Sequence, residues 1–145
     1  MTMVKPEEMR ARIYDLYNVY GKGGLDFVLS CFDDEAEFIS YAPGDVFPYL
    51  GRHHGKAAIA EMMKKVHAEF EVLTYLPIFV VVERSDAGLI VMARLRQRST
   101  DRVIHLLMAH FIRFRDGLII ELREFLDSFD AVQQVLGYEL NTEKP

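Results

Sequence analysis

The tightest constraint on this chain lies in its second half, where strand-like runs follow one another with almost no chain between them. Residues 103–115 and 118–126 are separated only by Asp116-Gly117. That pair favours a tight antiparallel hairpin, because glycine reaches positive φ without a Cβ clash. Upstream, residues 89–98 reach residue 103 across a Thr100-Asp101 turn. Residues 72–83, rich in β-branched and aromatic side chains, reach residue 89 across Ser85-Asp86-Ala87-Gly88. Pro77 inside that run predicts an edge or a bulge, since proline donates nothing to a ladder. The second half is therefore expected to form a meander of four strands.

The first half reads as helices around one strand. Pro6 before Glu7 and Glu8 suits a helix start, and Ile13, Leu16, Tyr17 and Tyr20 then share a face until Gly21, Gly23 and Gly24 break the helix. A short helix is expected over 25–32, a strand over 35–41, and a helix over 56–71 with Ile59, Met62, Met63, Val66 and Phe70 on one side. Residues 42–55, with their three glycines and two prolines, read as a long loop of the kind that forms a pocket rim. Asp127 or Ser128 is expected to cap a last helix over 129–136, closed by Gly137. Segregated helices and antiparallel strands make an α+β fold. No repeat or linker divides the 145 residues, so residues 1–145 read as one domain.

Composition narrows the function. A net charge of −5 and a pI near 5.5 argue against nucleic acid, which rewards dense basic patches. No apolar run approaches the ~20 residues needed to cross a bilayer, and the N-terminus lacks the apolar stretch of a secretory signal. The lone cysteine, Cys31, excludes an internal disulfide, fits a reducing cytoplasm and is expected to be buried. Gly21-Lys22-Gly23-Gly24 ends a helix rather than opening one, so it lacks the geometry of a phosphate loop and no organic cofactor is implied. His53 and His54, adjacent and so pointing apart, form no metal site with His67.

Three strings carry a family resemblance: RIYDLYNVYGKGGLDFVLSCFDDEAEF, GKAAIAEMM after the glycine-rich loop, and AHFIRFRDGLIIELREFLDSF. Over residues 9–137 the chain resembles the ketosteroid isomerase and SnoaL-like polyketide cyclase branch of the nuclear transport factor 2-like superfamily. The resemblance implies a cystatin-like cone, in which a curved antiparallel or mixed sheet wraps around N-terminal helices and leaves an apolar pocket. It also implies a homodimer formed through the outer face of the sheet. Where ketosteroid isomerase carries its tyrosine, its aspartate base and its second aspartate, this chain carries Leu16, Ser40 and His110. The steroid-isomerase mechanism is therefore not expected.

The same resemblance sets strand parity. It turns Ile104, Leu106, Met108, His110, Ile112 and Phe114 inward, and Val91, Ala93, Leu95 and Gln97 on the strand before. A turn with Gly117 as a left-handed bulge would pair Phe114 with Leu118, which turns Leu118, Ile120, Leu122, Glu124 and Leu126 inward. Arg94, Arg96, Arg98, His105, Arg113, Arg115, Glu121 and Arg123 fall outside, where charge is least costly. The arginine rows then read as a solvated or dimer-buried face paired with Glu121 and Glu83. Only His110 and Glu124 interrupt the apolar end of the inward rows, diagonally adjacent across strands. They read either as an acid/base couple or as a buried hydrogen bond that fixes the core.

As a couple, Glu124 is the base and His110 the donor or acid, with Tyr17 and Tyr41 orienting a small apolar or carbonyl-bearing ligand. The chemistry would be isomerisation, cyclisation or dehydration. Further candidate contacts are Tyr14, Ser40, Met108, Leu122 and Ile112, with Asp127 either a helix cap or a rim residue. Two alternatives remain open: a non-catalytic carrier using the same pocket, and a dimerising scaffold whose cone is packed solid.

Overall fold

The computed structural model describes residues 4–139. In chain order its elements are α1 (Pro6–Gly21), α2 (Leu25–Ser30), β1 (Phe32–Ser40), β2 (Arg52–His54), α3 (Lys56–Glu69), β3 (Phe70–Glu83), β4 (Asp86–Gln97), β5 (Val103–Arg115), β6 (Leu118–Leu126) and α4 (Ser128–Leu136). The strands form one mixed, curled sheet in the order β2-β1-β6-β5-β4-β3, not closed on itself. β3 to β6 make the expected antiparallel meander, and β1 joins it parallel to β6. The fold is α+β, as expected.

Several boundaries move for identifiable reasons. Phe32 opens β1 instead of closing α2, because it pairs with Ile119 and buries its ring almost completely. The loop after β1 contains β2, whose Arg52, His53 and His54 pair with Ile39, Phe38 and Glu37. The β3–β4 turn is Arg84-Ser85, with Arg84 at φ 55, so Asp86 already stands in the sheet and meets Arg113 at 3.1 Å. Pro77 does sit at an irregularity, between Pro77 and Phe79.

The largest correction is in β6. The glycine bulge expected to pair Phe114 with Leu118 does not form; Asp116-Gly117 makes a two-residue turn with both φ positive, and Arg115 pairs with Leu118. The extra residue is Ile120, between the pairs Arg113–Glu121 and Phe114–Ile119. Ile119 is fully buried and Leu118 is 36% exposed, the reverse of the expected parity at the start of the strand. The bulge lets Ile119 and Leu122, an odd number of residues apart, both face the core. It also brings Glu124 directly opposite His110 rather than diagonal to it.

The outward arginines are where parity put them, and Glu121 is a partner as expected while, among the described residues, Glu83 is not. Arg96 meets Glu71 and Asp101, Arg123 meets Glu121, and Arg115 meets Asp33. Cys31 is half-buried at the end of α2, and burial pushes its thiol up, away from the reactive thiolate. No helix among the described residues is long and apolar enough to cross a membrane.

Candidate active site

Three neighbouring strands and one helix assemble the polar centre. Ser40 of β1 and His110 of β5 each pair directly with Glu124 of β6, so all three side chains share the inner face of the sheet. Glu124 Oε1 accepts a hydrogen bond from Ser40 Oγ at 2.9 Å, and Oε2 lies 3.0 Å from His110 Nε2. His110 Nδ1 lies 2.5 Å from the Tyr17 hydroxyl, which α1 presents from its buried face beside Ile13 and Leu16. All four residues are buried.

Electrostatics assigns the protons. Burial alone would raise the Glu124 carboxyl, but the hydrogen bond and charge of His110, with the Ser40 hydrogen bond, together hold it below its ordinary value. Glu124 is thus a carboxylate at neutral pH and only accepts. His110 Nε2–H donates to it, and the tautomer with Nδ1 unprotonated accepts there from the Tyr17 hydroxyl. Burial, then the charges of Glu124 and Tyr20, push the Tyr17 phenol well up.

A pH dependence follows from Glu124. Its folded pKa is depressed, so its stabilisation is present above the ordinary carboxylate range and is lost as pH falls through the folded value. The urea midpoint of the native protein should exceed that of Glu124→Gln near pH 7. The gap should narrow as pH falls from the ordinary carboxylate range through the lower folded value of Glu124. A gap that stays constant down to pH 3 would contradict an ionised Glu124.

The centre opens on a cavity of about 110 Å³. Its wall is aliphatic, aromatic and methionine-rich except for Tyr17, Tyr20, Tyr49, Tyr75, His110 and Glu124. Met108 and Leu122 belong to the wall, and half-buried Ala42, Tyr49 and Leu50 of the loop after β1 form part of its rim. A cone packed solid is thus not what forms.

Tyr75 stacks on Tyr17 with centroids 5.6 Å apart and planes 10° apart, and lies 4.6 Å from Tyr20. Among the described residues the Tyr20 and Tyr75 hydroxyls have no hydrogen-bond partner. Burial first, and the charge of Glu124 among further causes, push both phenols up, so they stay protonated. The Tyr49 hydroxyl is buried with no hydrogen bond of good geometry, although Glu69 is near enough to push it up further after burial.

Other candidates fall elsewhere. Tyr41 lies on the outer side because it follows inward-facing Ser40 along the chain; it stacks on Phe125 at 4.4 Å and accepts from Arg123. Tyr14 is 44% exposed, one position round α1 from Ile13, and does not line the cavity. Ile112 is buried in the core without reaching the cavity wall. Ser40 holds Glu124 instead of facing the cavity. Asp127 caps α4 by accepting from the Asp130 amide. His53 turns to the Tyr49 and Leu50 carbonyls while His54 turns to Glu35 and Glu37.

Tyr20, Tyr49 and Tyr75 had not been marked as site residues. Tyr20 shares the Tyr17 face of α1, which was a usable signal. The parity of Tyr75 is hidden by two irregularities in β3.

Comparison with known proteins agrees with this fold. The model of the SnoaL-like domain matches residues 13–122. No curated protein matches the chain. Among solved structures, a protein named "Putative Isomerase" from Rhodopseudomonas palustris is 30% identical with a TM-score of 0.76, over 84% of this chain and 90% of that one. A "putative polyketide cyclase" from Xanthomonas campestris pv. campestris is 15% identical with a TM-score of 0.76, over 90% and 98%. An epoxide hydrolase from M. tuberculosis is 13% identical with a TM-score of 0.71, over 89% of each chain. The last two share the fold alone. With the family model spanning most of its length, this chain belongs to the SnoaL-like family of the nuclear transport factor 2-like superfamily.

Proposed function

We propose that the cavity binds a small, mainly apolar carbonyl compound and moves a proton next to its carbonyl, as in isomerisation, cyclisation or dehydration. The observation that carries this reading is the buried Tyr17–His110–Glu124 chain opening on an apolar cavity. Both nitrogens of His110 and both oxygens of Glu124 already have protein partners. The base role expected for Glu124 therefore passes to Tyr17. As the substrate Cα–H bond breaks, its proton moves to Tyr17 Oη while the proton of Tyr17 moves to His110 Nδ1. Glu124 stabilises the resulting imidazolium, and Ser40 fixes the carboxylate. The Tyr20 and Tyr75 hydroxyls, protonated and unpaired, donate to the developing enolate oxygen. Return of the proton to the same or a conjugated carbon restores every group.

The test is loss of the α-proton signals of cyclopentanone in D₂O, followed by NMR. The native protein should accelerate this exchange above buffer. A second reading, a non-catalytic binding protein, has one observation in its favour: the same chain of hydrogen bonds satisfies itself without a ligand. Saturable binding of cyclopentanone with no exchange would decide for it.

We also propose a homodimer through the outer face of the sheet, and a reducing, cytoplasmic setting consistent with the single cysteine. Supporting the dimer, Leu76, Phe79, Met92, Leu107, Phe111 and Phe125 are all exposed large hydrophobic residues. A contiguous face of this kind is rare on a monomer. Light scattering should return twice 16.8 kDa for the native chain, and 16.8 kDa for Leu107→Glu. A native monomer at micromolar concentration contradicts the dimer.

A further inference from the structure

We propose that the cavity selects uncharged ligands and rejects carboxylates and phosphates, with Glu124 as the specificity-determining group. This rests on the reading that the cavity binds a small molecule, and adds which charge that molecule carries. Among the described residues, no lysine, arginine or aspartate lines the cavity, and Glu124 is the one acid that does. The titratable groups around that carboxylate are Tyr17 and Tyr20 from α1, Tyr75 from β3 and His110 from β5, with the Ser40 hydroxyl from β1.

None of these offers an incoming anion a free positive charge, because both nitrogens of His110 are engaged by Glu124 and Tyr17. The arginines of β4 to β6 lie on the other face, where Arg96, Arg113 and Arg123 are held by acidic partners. An anionic ligand would lose its water, gain no counter-charge and lie near a like charge. An uncharged ligand meets instead the unpaired Tyr20 and Tyr75 hydroxyls and the aliphatic wall. The negative field reaches across the cavity: the charge of Glu124 helps raise the phenols of Tyr17, Tyr20 and Tyr75.

The test uses an isosteric pair, cyclopentanecarboxamide and cyclopentanecarboxylic acid, titrated by NMR between pH 5 and 8 with cyclopentanone as reference. The carboxamide should bind with one Kd throughout. The apparent Kd of the acid should rise about tenfold per pH unit above its own pKa, because only the protonated acid enters. Glu124→Gln should bind the carboxylate at pH 7 about tenfold more tightly than the native protein does. An acid affinity that is flat with pH, or equal to that of the carboxamide at pH 7, overturns the selectivity and leaves the ligand-binding reading standing. If neither the pair nor cyclopentanone binds, that reading falls, and the selectivity falls with it.

Discussion

Tyr17→Phe is expected to slow the exchange of cyclopentanone α-protons by about 10²–10⁴-fold, the usual contribution of a positioned acid or base. The substitution keeps the ring that packs on Tyr75 but leaves Nδ1 of buried His110 unpaired, so the thermal midpoint should fall by only about 2–10 °C with the fold kept. The lost hydroxyl belongs to a cavity-lining residue and connects to His110. Tyr20→Phe and Tyr75→Phe each remove a donor to the carbonyl oxygen and should cost less, since the other remains. Exchange at the native rate in Tyr17→Phe would remove Tyr17 as the base.

The largest expected effect on stability comes from His110→Leu. Glu124 would keep its burial and its Ser40 contact but lose the partner that holds it ionised. Breaking a buried pair on one side costs about 3–5 kcal/mol. For a domain of this size each kcal/mol moves the midpoint by roughly 2–4 °C, so a fall of about 10 °C is expected. The double variant His110→Leu with Glu124→Leu should recover much of that loss, because no unpaired charge is left behind. A double variant less stable than the single one would mean that the pair contributes a net gain over apolar packing.

Much of this architecture is legible in the chain because charge and turn chemistry agree. Arg94, Arg96, Arg113 and Arg123 all need water or an acidic partner, and only one parity of β4, β5 and β6 provides it. With the outside fixed, His110 and Glu124 become the two polar residues that must be explained inside. The start of β6 is different. Leu118, Ile119 and Ile120 are equally apolar, so no charge marks which of them is the extra residue.

That ambiguity had a consequence for the site, since the bulge changes His110 and Glu124 from diagonal neighbours to direct partners. Tyr41 was drawn toward the cavity by its residue type, yet it follows inward-facing Ser40 and alternation turns it out. The cluster of Tyr17, Tyr20 and Tyr75 depends on α1 lying across β3, a contact between residues far apart in sequence. No local pattern encodes it.

The most direct measurement is a crystal structure of the native protein soaked with cyclopentanone. The ring should occupy the space between Met108, Leu122 and the three tyrosines. Its carbonyl oxygen should lie within hydrogen-bonding distance of the Tyr20 or Tyr75 hydroxyl, and an α-carbon should face Tyr17 Oη. A ring seated only outside the curl of the sheet, or one whose carbonyl points away from all three hydroxyls, would contradict the account.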